Sequence, residues 1–217
     1  MIPYFDIIQG TEEWHRIRWG KIGGTSCKGL FIKTDTLLDE ILSQHLEEFE
    51  LDEDPFSNNA MDRGNEQEPY AREQLELYTG LKFIECGWLQ SEENKLLGMS
   101  PDGITKDLKV QIEIKCPGRK KHTTTIRENV LPLDHIHQCV HAFTVNPLLE
   151  RLIFGSFRYE SIKPLFVKEI NPESLVNLGT KAKPVIKKVS EWVTIAKSEE
   201  KALEIKLKAE IDNIIGV

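Results

Sequence analysis

Val110-Gln111-Ile112-Glu113-Ile114-Lys115 alternates apolar and polar residues without a break. That period of two belongs to a strand with unlike faces. Val110, Ile112 and Ile114 share one face and call for a covering layer. Glu113 and Lys115 share the other, two residues and roughly 6–7 Å apart. Pro117 ends the strand, because proline has no N–H for the ladder. A helical pattern over Leu133–Phe143 and a second apolar run, Arg151–Phe157, follow. Strand, helix and strand in that order place the first strand inside a sheet.

The remaining patterns fit around that sheet. Gly10–Trp19 reads as a short helix capped by Thr11, closed by Gly20 and the turn Gly23-Gly24, with Thr25-Ser26 capping the next element. Leu37–Phe49 and Asn65–Thr79 are predicted helices, the second starting near Pro69 and closed by Gly80. The acidic stretch Glu47–Pro55 and Ser57-Asn58-Asn59 form a loop between them. Lys82–Gln90 and Lys95–Met99 are predicted strands, and Ser100-Pro101-Asp102-Gly103 is a turn signal. Leu165–Ile170 is a further strand. From Asn171 onward the pattern is helical, with Asn171 as cap, Pro172 and Glu173 in the first turn, and Pro184 as a break. The fold class is therefore α/β (α+β), a central mixed β-sheet flanked by helices. With 217 residues the chain suits one domain. No apolar stretch reaches membrane-spanning length, and the first residues lack a basic start followed by an apolar run, so neither membrane span nor signal peptide is expected. Cys27, Cys86, Cys116 and Cys139 are too scattered for a zinc or iron–sulfur motif and fit free thiols in a reducing cytosol.

Chemistry concentrates around the first strand. Asp102 stands eleven residues before Glu113, at a turn between strands, and a hairpin brings the two together. Converging carboxylates repel unless a cation lies between them, and hard divalent cations prefer oxygen ligands. Lys115 beside them can steady an attacking water or the charge that develops on phosphate. The plainer alternative is an amphipathic strand with a solvated face, and Asp-Gly is a common turn in its own right.

A wider set of motifs decides between these readings. Trp14-His15-Arg16-Ile17-Arg18, Gly24-Thr25-Ser26, Gly64-Asn65-Glu66-Gln67-Glu68-Pro69, Ser100-Pro101-Asp102-Gly103, Glu113-Ile114-Lys115-Cys116-Pro117 and His137-Gln138 occur in that order. Over about residues 10–145 the chain resembles the YqaJ-like viral recombinase family of phage lambda-type exonucleases, within the PD-(D/E)xK nucleases. The resemblance implies a single nuclease domain over 1–217 with a restriction-endonuclease-like core and a helical C-terminal region over 171–217. It implies a metal-dependent 5′→3′ exonuclease that digests one strand of duplex DNA from its ends, releases 5′-mononucleotides and leaves a 3′ overhang for strand annealing. Asp102, Glu113 and the Ile114 carbonyl match its metal ligands, Lys115 its catalytic lysine, Glu68 an acid near a second metal position, and Gln138 a glutamine on the following helix. Arg18, Ser26 and Ser100 match positions that hold a 5′-terminal phosphate. Mg2+ is the implied cofactor, with Mn2+ as substitute, at one or two positions. A trimeric ring around DNA, a single-strand annealing protein as partner, and a phage or prophage origin inside a bacterial host are implied too. The chain departs at His135 and Val140, where the lambda member has tyrosine and glutamine.

Net charge is −7, which disfavours a protein basic all round as a DNA binder. The charge is uneven, however. Residues 1–104 carry 9 Lys and Arg against 21 Asp and Glu, and residues 105–217 carry 19 against 14. The basic part begins beside the key strand, with Gly118-Arg119-Lys120-Lys121-His122. That run either contacts the DNA backbone or is a solvated loop. His135, His137 and His141 lack a zinc pattern and read as core or satisfied histidines. Trp14 and Trp19 read as core or interface rather than as stacking platforms. The C-terminal stripe of Leu203, Ile205, Ala209, Ile211, Ile214 and Ile215 packs on its own domain by default, with a subunit contact or a docked partner as alternatives. Two other functional readings compete: a restriction-type or RecB-like endonuclease on the same fold, and a catalytically silent DNA-binding or assembly protein.

Overall fold

The computed structural model describes residues 1–32, 36–51 and 59–216. In chain order its elements are β1 (Ile2–Tyr4), α1 (Glu12–Arg18), a 3-10 turn (Cys27–Leu30), α2 (Thr36–Leu46), α3 (Asn59–Thr79), β2 (Trp88–Gln90) and β3 (Gly98–Met99). There follow β4 (Gly103–Ile104), β5 (Val110–Lys115), α4 (Arg119–Glu128), α5 (Leu133–Val145), β6 (Arg151–Phe157) and β7 (Leu165–Ile170). The chain closes with β8 (Leu175–Asn177), β9 (Ile186–Lys188) and α6 (Val189–Ile215).

The alternating segment is β5, at the bounds its pattern sets. It lies inside a sheet of order β4-β5-β6-β7. β4 and β5 are antiparallel, β5 and β6 parallel through the α4–α5 crossover, and β6 and β7 antiparallel. The expected mixed sheet is therefore present. The apolar side of β5 meets α3: Ile112 and Ile114 join Ile153, Phe157, Ala71, Leu75 and Phe83 in one core cluster. The helix approaches closely, for a methyl group at Gly155 would stand 2.9 Å from Leu75 Cδ1. Burying Leu75 there is worth roughly 2–3 kcal/mol. On the other side Leu152, Phe154, Phe166 and Ile170 pack with Ile136, Cys139, Val140 and Phe143 of α5. α6 backs α5 through Trp192, Ala196 and Leu207 in the same cluster. A second sheet, β1-β2-β3, braces α1.

Several expectations need correction. Helix α3 starts at Asn59, so Pro69 lies inside it rather than near its start, and one i→i−4 bond is missing there. Asn59 is thus helical, while residues 52–58 of the expected acidic loop lie outside the described residues. The two long strands over 82–99 shrink to β2 and β3, with single bridges at Ile84–Ile104 and Ile22–Leu97. The run after β5 is no loop: Gly118 opens helix α4. The region 171–217 is not helical throughout. Asn171 Oδ1 accepts from Glu173 N (2.9 Å), which closes a turn, and the β8–β9 hairpin precedes α6. The C-terminal stripe divides: Leu203 and Ile211 pack on the core, while Ile205, Ala209, Ile214 and Ile215 stay exposed; Leu207, outside the expected stripe, is the buried residue of this stretch.

One buried charge in α6 carries a pH signature. Glu200 is 2% exposed, and its Oε1 has no hydrogen-bond partner. Burial first, then Glu204, push its carboxyl up to about 7, against an ordinary 4.5. The fold therefore favours the protonated form. That contribution is complete below about 4.5 and is lost as pH rises through about 7. Glu200→Gln mimics the protonated state. It should match the parent in urea unfolding near pH 4 and exceed it at pH 8 by about 1–2 kcal/mol, allowing for solvent at the head group. A gain equal at both pH values would remove the titration from the account.

Candidate active site

The pairing of β4 with β5 sets the geometry. Gly103 lies opposite Ile112 and Ile104 opposite Gln111, so Asp102 falls beside Glu113 and Ile114. Asp102 Oδ2 accepts from Ile114 N at 2.5 Å, which aims the carboxylate across the strand end. Glu113 is fully buried, contrary to a solvated charged face. Its Oε1 pairs with Lys115 Nζ, and its Oε2 has no partner. Burial is the main cause that raises the Glu113 carboxyl; Asp102 and Glu68 add to it, and Lys115 opposes it. Burial alone would pull the Lys115 ammonium down, but Glu113 and Asp102 more than offset it and hold it up.

Helix α3 brings the third acid. Glu68 and Arg72 are one turn apart, and Arg72 Nη2 donates to Glu68 Oε1 (2.9 Å). Arg72 Nε donates to the Asp102 carbonyl (2.9 Å), and Nη1 pairs with Glu85. One guanidinium thus ties α3 to the Asp102 turn. Burial, then Asp102, push the Glu68 carboxyl up to about 7, against Arg72 and Lys115. Sequence patterns missed Arg72, although its place four residues after Glu68 is a legible i,i+4 pair.

Among the described residues, no three His, Cys, Asp or Glu side chains are drawn together around one point as they stand. Each carboxylate is turned instead to a cation or amide of the chain. The donor set nevertheless fits a hard divalent cation. It offers a buried carboxylate oxygen with no partner, two further acids whose charges raise it, and oxygen donors only.

A second cluster lies on the α1 side. A cavity of about 310 Å3 is lined by Arg18, Ser26, Thr25, Lys21, Gly23 and others. Arg18 lies over the Trp14 ring, its guanidinium carbon 3.8 Å from the ring centre, and burial lowers its pKa. Ser26 Oγ accepts from Gly23 N (3.1 Å). Gln138 of α5 closes on the same turn: a methyl at Gly24 would stand 3.0 Å from Gln138 Cγ. Ser100 does not line that cavity. Its hydroxyl donates to Gly87 O (2.7 Å) and accepts from Trp14 Nε1 (2.8 Å). Trp14 is thus half-buried rather than core, its N–H engaged by Ser100 and Gly87.

Lys115 also opens onto a larger cavity of about 880 Å3, rimmed by Lys120, Lys121, Lys168 and Lys181. Arg119, Lys120 and Lys121 fill the exposed first turn of α4, which has no acid of its own, and Lys121 pairs with the exposed Asp134 of α5 at 3.4 Å. Cations at a helix N-terminus oppose the macrodipole and cost stability. His135 lines the same cavity and stacks on Phe154; burial, then Lys115, bring its pKa down to about 4, so the imidazole is neutral. His141 is buried with Nε2 on Gly98 O (3.0 Å), and His137 is buried beside Phe31.

Known proteins share this arrangement of elements. The solved structure of LHK-Exo in complex with dAMP is 25% identical, with a TM-score of 0.75 over 94% of this chain and 96% of that one. The alkaline exonuclease LHK-Exo from Laribacter hongkongensis gives 24% identity and a TM-score of 0.72, over 95% and 99% of the two chains. A phage-related exonuclease from Haemophilus somnus 129PT, at 15% identity and TM-score 0.52, covers 88% of this chain and 96% of its own. The last two show the fold alone. No curated protein matches by sequence. The model of the YqaJ-like viral recombinase domain matches residues 13–146, more than half of the chain and the stretch that holds Arg18, Glu68, Asp102, Glu113, Lys115 and Gln138. By that match the chain belongs to the YqaJ-like viral recombinase domain family.

Proposed function

We propose that this protein is a divalent-metal-dependent 5′→3′ exonuclease. It digests one strand of duplex DNA from an end, releases 5′-mononucleotides and leaves a 3′ overhang for recombination by strand annealing. The observation that carries this reading is the electrostatic coupling of Asp102, Glu113, Lys115 and Glu68 around the end of β5, on a chain whose cavity beside α1 is lined by Arg18 and Ser26. The likeness to LHK-Exo, solved in complex with dAMP, supports it.

Asp102, Glu113 and the Ile114 carbonyl would hold Mg2+, or Mn2+ in its place, with Glu68 beside a second position. Such an ion, when bound, supplies Lewis acidity to the scissile phosphate and lowers the pKa of its water. The chain's own residues do the rest. Lys115 orients the attacking water and offsets charge on the phosphate. Arg18 presents a planar fork to a terminal phosphate, a fit that lysine lacks. The hydroxyl of Ser26 stands with Arg18 on the end-binding side, Ser100 braces that side from outside the cavity through Trp14, and Gln138 counts among the catalytic groups. Neutral His135 leaves the positive charge at this site to Lys115. Duplex DNA ends are the proposed substrate. A trimeric ring, a single-strand annealing partner and a phage or prophage origin within a bacterial cell are proposed with it, by resemblance to the family.

Arg119, Lys120 and Lys121 are read as DNA-backbone contacts, because a cationic first turn costs α4 stability that a solvated surface has no need to retain. Neutralising all three to Gln should make the salt dependence of DNA binding shallower by about 2–3 in log–log slope. An unchanged slope would return the three to plain surface. The activity itself is tested with linear and covalently closed duplexes. Magnesium should drive loss of the linear 5′-phosphorylated duplex and leave the circle intact. Cleavage of the circle would move the reading to a restriction-type endonuclease.

A further inference from the structure

Trp14 stands between the two halves of the site. Its ring face carries the Arg18 guanidinium at 3.8 Å. Its indole N–H donates to Ser100 Oγ (2.8 Å) and to Gly87 O (3.0 Å). Ser100 is two residues before Asp102 and is itself bonded to Gly87 O. One rigid side chain therefore spans from the proposed end-binding arginine to the turn that delivers the first carboxylate. Among the described residues Arg18 forms no ion pair, so the ring is its principal seat. Thr11, capping α1 with its side chain accepting from Trp14 N (3.3 Å), fixes where the indole begins. Tryptophan is the aromatic that suits this place: it gives the strongest cation–π face and adds an N–H donor at the far edge.

We propose that Trp14 is a positioning residue for end recognition. It presets the Arg18 fork and fixes its distance from the Asp102 turn, so that a 5′-terminal phosphate held by Arg18 leaves the scissile phosphate at the carboxylates. This rests on the end-binding reading of Arg18 given above. Loss of the seat frees a long side chain that must then be ordered at each binding event, so discrimination in favour of phosphorylated ends falls. Chemistry on an end without phosphate does not use the fork and is affected less, through the Ser100 contact alone.

The test measures digestion of duplexes with 5′-phosphate and with 5′-hydroxyl ends by Trp14→Leu, Trp14→Phe and Arg18→Ala. Trp14→Leu should lose about tenfold or more of the preference for 5′-phosphate and approach Arg18→Ala. Its rate on 5′-hydroxyl ends should fall by a smaller factor than its rate on 5′-phosphate ends, since only the latter uses the fork. Trp14→Phe keeps a ring face without the N–H and should fall between the parent and Trp14→Leu. Should Trp14→Leu fail to fold by a melting scan, Trp14→Phe alone must show a partial loss of preference. A fall in equal proportion on both ends, or an unchanged preference, would overturn the positioning role. If Arg18→Ala itself keeps the preference while Trp14→Leu loses it, the end-binding reading of Arg18 fails, and the proposal with it.

Discussion

Lys115→Ala is expected to lower turnover on the order of 10³-fold while duplex affinity stays within about threefold. The separation follows from the geometry. Lys115 is 27% exposed at the side chain, and its ammonium is paired to the buried Glu113. On the proposed mechanism its charge serves the reacting phosphate rather than the length of the duplex. On the proposed reading, affinity comes mainly from other cations, Arg18 in its own cavity and Arg119, Lys120 and Lys121 on α4. The loss has two parts. One is the missing charge that steadies water and phosphate. The other acts through Glu113: Lys115 opposes the burial that raises this carboxyl, so without the lysine Glu113 keeps its proton to higher pH. The variant should thus regain some activity as pH rises. Single-turnover cleavage with a parallel binding measurement checks this, and full cleavage by the variant would take Lys115 out of the mechanism.

Asp102→Asn should have a comparable effect on turnover and a smaller one on the fold. Asp102 Oδ2 accepts from Ile114 N, and an asparagine oxygen can accept the same bond. Unfolding free energy should therefore shift by about 1 kcal/mol or less. What disappears is the negative charge. A ligand that binds only the native state stabilises it by RT ln(1 + [L]/Kd), about 2.7 kcal/mol at a hundred times Kd. Magnesium should accordingly raise the melting temperature of the parent by several degrees and that of Asp102→Asn hardly at all. Equal magnesium stabilisation of both proteins would place the cation elsewhere.

The core of the site was legible because the deciding residues lie on regular structure or in tight turns. Alternation fixed β5 to the residue, and the Asp-Gly turn set Asp102 against it. The ordered motifs then carried Glu68, Arg18 and Gln138. What escaped did so for physical reasons. Asn171-Pro172-Glu173 looks like a helix cap because an Asx turn and an N-cap share the same side-chain-to-amide bond, and only the strand pairing beyond decides. Helix α4 buries little besides His122 and Thr125, so it shows almost no apolar period. Glu113 is fully buried with its charge felt at Cys27 and Cys139, neighbours far from it in sequence. Arg72 and Trp14 act through contacts across elements, which spacing alone does not register. The acidic total, finally, includes the three acids of the site itself, and the basic turn of α4 follows directly on β5.

The central claim is directional, metal-dependent removal of nucleotides from a duplex end. A blunt linear duplex, 5′-phosphorylated and labelled on the terminal nucleotide at either the 5′ or the 3′ side, tests it in one time course with and without magnesium. The account predicts that the 5′ label appears first, as a mononucleotide, and only with magnesium, while the 3′ label stays in long single strands. Release of the 3′ label first, or release that does not depend on magnesium, would contradict it.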